Sequence, residues 1–316
     1  MNRIIGRYGQ GRKGPLLIAI GALHGNEESG VEAVKLLTKM LEVEPITNPS
    51  FVFHGAFIGI LGNIQAYEKG LRYLDRDLNR MWQPRHVAKG QKKVHGLSAE
   101  YHEQAAIIAS VKEEVKSYQP TEVVILDLHS TSSPGGIFTI PAKDERSLEL
   151  AHALHAPVIT HMLDELSGTT LHYFSDKIVE GVKCTALSFE AGQHMDPLSI
   201  NRCIAAIINC MKSLRCVSEE DVEHIHDDIL IRYSEPYPKQ SRLIYKHDIK
   251  PIDQFRMRAG YENFQYVEKG EILAHDRNGE IAAPESGLLL MPLYQKQGSE
   301  GFFIVEPVVE AVMINR

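Results

Sequence analysis

The sequence predicts an α/β fold: a mostly parallel or mixed sheet flanked by helices over residues 1–218, then a small all-β domain over residues 219–316. Three observations lead there. Continuous apolar runs, short enough for buried strands, alternate with stretches of helical periodicity. From about residue 220 the helical stripes stop, and short alternating runs separated by turn residues replace them. Three of the apolar runs end in polar strings: His24-Gly25-Asn26-Glu27, Asp127-Leu128-His129 and Phe189-Glu190-Ala191-Gly192. Ligands of open α/β sheets gather beyond the carboxyl ends of strands, so residues distant in the chain can share one site.

Residues 16–22 form the first strand. Val31, Val34, Leu37 and Leu41 then recur at helical spacing, so residues 28–42 read as a helix, which Pro45 and Pro49 close. Residues 51–61 read as a second strand, broken by Gly62-Asn63, and 83–97 as an irregular surface loop. Ser98 opens a helix whose stripe is Ala105, Ile108, Val111 and Val115, with Pro120 just beyond its end. Residues 123–129 form the third buried strand; 137–141 and 158–160 are shorter ones, with a helix over 147–155 between them. Residues 184–190 form another central strand, followed by a helix over 197–214 with Pro197 at its first turn. Beyond 220 lie short runs at 229–233, 270–275, 287–292 and 301–307, with no long helical stripe. Asn278-Gly279 signals a type I′ hairpin turn.

Hydrophobic residues make up 43% and charged residues 24%, an ordinary globular balance. The formal net charge of −7 argues against a nucleic-acid partner. No apolar stretch is long enough to span a bilayer, and the first residues lack a signal-type apolar core, so no membrane partner and a cytoplasmic location are expected. Cys184, Cys203, Cys210 and Cys216 match no metal-knuckle spacing and read as reduced, packed thiols.

Two His and one Glu make a three-ligand zinc set that keeps a fourth position for water. His24, Glu27 and His129 therefore read as the holders of one zinc per chain, and Glu190, on a separate strand end, as the group that takes a proton from that water. Each signal is weak by itself. A His-x-x-Glu pair is common by chance, and His129 alone reads equally as a hydrogen-bonded loop histidine. Asp127 shares a strand face with His129 and is either its ring partner or a buried acceptor for loop amides. In the stretch from Arg72 to Arg80, residues Asp75, Arg76 and Asp77 read as a charged turn with local pairs. Asn79-Arg80 reads as a carboxylate clamp, because a planar guanidinium grips a carboxylate with two parallel bonds. His194 is either a pocket residue or a solvated loop histidine. His152, His155, His161, His172, His224 and His226 show no partner spacing for a second metal.

Together these strings resemble the succinylglutamate desuccinylase/aspartoacylase family, a branch of the zinc-carboxypeptidase-like hydrolases, over nearly the whole chain. His24-Gly25-Asn26-Glu27-Glu28-Ser29-Gly30 is similar to the family's first metal motif and Asp127-Leu128-His129-Ser130-Thr131 to its second. Gly62-Asn63 through Asp77-Leu78-Asn79-Arg80 resembles its substrate-carboxylate motif. Glu190-Ala191-Gly192 resembles the catalytic Glu-Val-Gly string, with Ala in place of Val. The resemblance implies zinc on His24, Glu27 and His129, Glu190 as general base and then acid, and Arg72 on the scissile carbonyl. It also implies Asn79 and Arg80 on a substrate carboxylate, and a tyrosine from the C-terminal domain over the substrate, for which Tyr294 is the nearest candidate. Residues 270–287 are similar to lipoyl-type hammerhead sequences but lack a central carrier Lys, which suits a lid or specificity domain rather than a swinging arm. The implied substrate is a small N-acyl amino acid or a similar small amide bearing a carboxylate. A zinc carboxypeptidase acting on peptides, and a binding module that keeps the fold without catalysis, are the alternatives.

Overall fold

The computed structural model describes residues 1–92, 96–220 and 225–308. Its strands are β1 (Ile4–Tyr8), β2 (Leu16–Gly21), β3 (Ala56–Leu61), β4 (Val123–Thr131), β5 (Phe138–Pro141), β6 (Val158–Thr160), β7 (Ile178–Val179), β8 (Val182–Gln193), β9 (Gln240–Asp248), β10 (Arg256–Met257), β11 (Tyr266–Val267), β12 (Ile272–Asp276), β13 (Gly279–Ala282), β14 (Gly287–Leu290) and β15 (Glu300–Pro307). Its helices are α1 (Ser29–Thr47), α2 (Ile64–Tyr67), α3 (Pro84–Gly90), α4 (Ala99–Tyr118), α5 (Glu145–Ala153), α6 (Met162–Glu165), α7 (Thr170–Phe174), α8 (Leu198–Ser213) and α9 (Ile225–Ser234).

One mixed sheet runs in the order β1-β3-β2-β4-β8-β5-β6-β9-β15-β14-β11, with β7 paired to β8. Its centre, β3-β2-β4-β8, is parallel. Every residue of β2, β3 and β4 is buried, as expected of strands covered on both faces. Alternate residues feed two cores. Leu17, Ala19, Val124 and Leu126 pack with α1, α5 and α8, while Leu16, Ile18, Val123 and Ile125 pack with α4 and the Trp82–Phe174 contact. The chain leaves β2 toward β3 on one side and leaves β4 toward β8 on the other, so the topological switch point falls between β2 and β4.

Several expectations are corrected. Pro45 does not end α1: the helix runs on to Thr47, with Asn48 N–H donating to Glu44 O at 2.7 Å. A proline this close to a helix end removes little of the ladder. Residues 51–55 lie outside any strand, and β3 begins at Ala56. The 83–97 stretch contains α3, with Pro84 at its first turn. The 147–155 helix is shifted two residues toward the N-terminus, and Pro197 is the N-cap of α8 rather than its first residue.

Beyond 220 a ten-residue helix, α9, packs Leu230 onto the α8 side of the core. His224 lies outside the described residues. The β12–β13 hairpin pairs Asp276 with Gly279. Among its turn residues only Gly279 has positive φ, at 126°, so the turn is not the type I′ that Asn278-Gly279 predicts, which needs positive φ at both central residues. The C-terminal strands are strand-rich as expected, but β9 joins β6 in parallel and carries β15, β14 and β11 with it into the main sheet. A separate three-stranded sheet, β10-β12-β13, lies beside them. All four cysteines are buried and free. Among the described residues no helix is long and apolar enough to cross a membrane.

Candidate active site

The loop after β2 turns sharply at Ala22, φ 52°, and brings His24 and Glu27 over the carboxyl edge of the sheet. Gly25 is needed there, since a Cβ would stand 2.2 Å from the carbonyl carbon of Ala66. Its amide donates to Arg72 O at 3.1 Å, which ties the metal-type loop to the arginine-bearing one. His129 comes from the end of β4, and Glu190 sits beside it on β8 in register.

Ligand atoms of His24, Glu27 and His129 lie within 4.8 Å of one another, and all three residues are buried. Glu27 is the hub. Its Oε1 meets His24 Nδ1 at 2.8 Å, and its Oε2 meets His129 Nδ1 at 3.0 Å and accepts from Ser130 N–H at 3.1 Å. Each ring's other nitrogen faces an aspartate. His24 Nε2 is 3.0 Å from Asp77 Oδ1, and His129 Nε2 is 3.1 Å from Asp127 Oδ2. Asp127 Oδ2 also accepts from the Thr170 hydroxyl. Both rings are therefore fixed with Nδ1 inward, the carboxylate-histidine arrangement that orients metal ligands. That donor set and its orientation fit a divalent zinc ion.

Electrostatics match this picture. Burial pushes Glu27 upward, but His24 and His129 outweigh it and hold its carboxyl well below the usual range. Burial lowers His129, yet Asp127 and Glu27 together keep its proton well above the ordinary histidine range. Asp77 is likewise held low, against its burial, by His24 and Arg72. Glu190 behaves oppositely. Burial raises it to about 7 despite the pull of His129, and Glu27 adds to the rise. Its Oε2 is buried with no hydrogen-bond partner.

Arg72 and Arg80 both line the cavity next to these groups. Arg72 donates to Glu27 Oε1 at 3.3 Å and to Asp77 Oδ2 at 3.2 and 3.3 Å. Arg80 is held bidentately by Glu300, Nε to Oε1 at 2.9 Å and Nη2 to Oε2 at 2.7 Å. Asn79 lines the same cavity, its Oδ1 accepting from Thr170 N–H at 3.0 Å. Residues 291–299, which join β14 to β15, contribute Met291, Leu293, Gln295 and Gly298 to its wall, and Glu300, the first residue of β15, adds to it. Asn26 reaches this segment through Gln295 at 2.9 Å.

The structure thus brings together His24, Glu27, His129, Glu190, Arg72, Asn79 and Arg80. Tyr294 stands apart from the cavity lining, its hydroxyl 2.9 Å from Arg258 O and 3.0 Å from Tyr261 O. His194 packs behind Ser130, Nδ1 to Oγ 2.8 Å, and is not in the lining either. Sequence reasoning missed Asp77, Thr170 and Glu300. Asp77 carried a signal, two residues before the Asn79-Arg80 pair. Thr170 and Glu300 carried none.

Asp127→Asn is expected to weaken zinc binding by about 10- to 100-fold, the usual effect of removing a carboxylate behind a ligating imidazole. A zinc titration against a competing chelator measures it; unchanged affinity would remove Asp127 from this role.

Residues 13–214 match the model of the succinylglutamate desuccinylase/aspartoacylase catalytic domain. The chain is 35% identical over 121 residues to a probable aspartoacylase of Nostoc sp., a match spanning 38% of this chain and 37% of that protein. It is 25% identical over 284 residues to a succinylglutamate desuccinylase of Pseudomonas aeruginosa, covering 84% of this chain and 74% of the other. The fold is shared with the crystal structure of a succinylglutamate desuccinylase/aspartoacylase from Rhodobacter sphaeroides, with a TM-score of 0.64, 16% identity and coverage of 95% and 87%.

Proposed function

Since the chain belongs to the succinylglutamate desuccinylase/aspartoacylase family, we propose that it is a zinc-dependent deacylase that hydrolyses the amide bond of a small N-acyl amino acid. One observation carries the reading: two buried histidines turned toward Glu27 by Asp77 and Asp127, beside a carboxyl whose Oε2 has no partner. When bound, zinc supplies a Lewis acid that polarises the carbonyl and lowers the pKa of water to about 7.

The protein's own groups do the rest. Glu190 accepts a proton from the attacking water as its oxygen bonds to the acyl carbon. As the C–N bond breaks, Glu190 returns that proton to the leaving nitrogen, so free amine and carboxylate form and the carboxylate is restored. Arg72 uses three of its donor contacts on Glu27 and Asp77, all at 3.2 Å or longer, and a guanidinium has five N–H groups. It therefore keeps donors for an oxyanion developing at the carbonyl, where charge appears in the transition state. Asn79 and Arg80 lie on the side where the amino-acid carboxylate would dock. The share of the cavity wall that residues 291–300 supply favours a small substrate over a peptide, and the intact ligand and base set disfavours a binding module without catalysis.

The test is release of free amine from a panel of N-acyl amino acids by zinc-loaded protein. Turnover on at least one member, lost on chelation and restored by zinc, is the expected result. No turnover across the panel with one zinc bound per chain would overturn the proposal.

A further inference from the structure

The Arg80 fork already holds a carboxylate, and it is the chain's own. Glu300 meets it with both oxygens, and Arg80 Nη1 donates to Asn79 O at 2.8 Å, so every guanidinium nitrogen has an acceptor. The pair is largely shielded, with side chains 23% and 11% exposed. Arg72 is likewise shared between Glu27 and Asp77. Among the described residues no other Lys or Arg lines the cavity. Much of the remaining wall is apolar, with Ile140, Leu163, Leu171 and Phe303 among its members.

From this charge count, and resting on the deacylase reading above, we propose that Glu300 is a specificity-determining residue that restricts the site to acylated amino acids with one carboxylate and an uncharged, apolar side chain. A single carboxylate can replace Glu300 on Arg80 in a like-for-like exchange. A second carboxylate finds no cation beyond Arg72, whose remaining donors the proposed mechanism gives to the oxyanion; it faces either the apolar wall or Glu300 itself and is desolvated without compensation. The cavity therefore differs in preference from the di- and tricarboxylates that the names aspartoacylase and succinylglutamate desuccinylase point to.

The experiment compares kcat/KM for N-acetyl-leucine and N-acetyl-methionine with that for N-acetyl-aspartate and N-succinyl-glutamate, in zinc-loaded wild-type protein and in Glu300→Gln. The neutral derivatives should be favoured by at least about 100-fold, the scale of one uncompensated buried charge. In Glu300→Gln, which keeps shape but releases Arg80, that ratio should fall at least about 10-fold. Glu300→Ala, carried alongside, should shift it in the same direction. A second readout needs no turnover: leucine should raise the Tm of the wild-type protein and aspartate should not, whereas both should raise it in Glu300→Gln. Wild-type preference for N-acetyl-aspartate or N-succinyl-glutamate, or a ratio unchanged in both variants, overturns this inference and leaves the deacylase reading intact. Absence of turnover on all four compounds and on the wider panel overturns both.

Discussion

Glu190→Gln should lower kcat by about 10²- to 10⁴-fold, the loss expected when a positioned acid–base group is removed, while zinc content stays the same. The replacement keeps shape, and Glu190 is absent from the His24-Glu27-His129 cluster. Metal analysis and steady-state kinetics on one preparation decide the matter. Lost zinc would make Glu190 a ligand; near-full turnover would remove it from the mechanism. A pH profile adds the sign. The base form must be unprotonated, so kcat/KM should rise with pH through the Glu190 titration. That carboxyl sits at about 7 in the metal-free protein, and a bound cation moves the limb lower. Stability should run the other way. A carboxyl raised from 4.5 to about 7 binds its proton more tightly folded than unfolded, so metal-free wild type loses stability as pH climbs across that window. The Gln variant has no such titration. Its metal-free Tm at pH 8 should equal or exceed that of wild type.

His129→Ala should act twice over. Zinc affinity should fall by more than the roughly 10- to 100-fold that follows loss of a group behind a ligand, because a ligand itself is gone. The metal-free protein should also lose about 3–5 kcal/mol, the scale for removing one partner from a buried ion pair. The reason is placement. His129 lies between two buried carboxylates, Glu27 at 3.0 Å and Asp127 at 3.1 Å, and its charge offsets both. Zinc titration and denaturant unfolding separate the two effects. A variant that binds zinc normally, or a metal-free variant as stable as wild type, would contradict the corresponding half.

The centre of this fold is legible in the sequence because burial on both faces forces unbroken apolar runs. Buried strands admit only polar groups that find partners, and charged or titratable residues cluster where the runs of β2, β4 and β8 end, which marks the carboxyl edge. That is why His24, Glu27, His129 and Glu190 could be picked out without coordinates. What the sequence concealed is of two kinds. Helix α3 and helix α9 are short, and each buries a single residue, Val87 and Leu230, so neither carries a long stripe of its own. The Arg80–Glu300 pair joins residues 220 positions apart, and Glu300 is simply the first residue of β15, within an ordinary Ser-Glu-Gly string. Nothing local announces such a partner. Asp77 was half read for a related reason: the local pair that the charged turn suggests is there, with Arg72 on Oδ2 at 3.2 Å, but its Oδ1 also reaches 53 residues back to His24.

The pairing of β6 with β9 ties residues 158–160 to 240–242 by main-chain bonds in the middle of the sheet. A chain cut near residue 218 would leave β6 as a raw edge, with its N–H and C=O groups offered to any passing strand, and would strip Leu290, Phe303 and Val305 from the core they fill. Exposed edges of this kind recruit other chains. The half that carries every proposed zinc ligand should therefore not behave as a portable module. Expressed alone it should elute as soluble aggregate or precipitate on size-exclusion chromatography, and coexpression with residues 219–316 should return it to a discrete species.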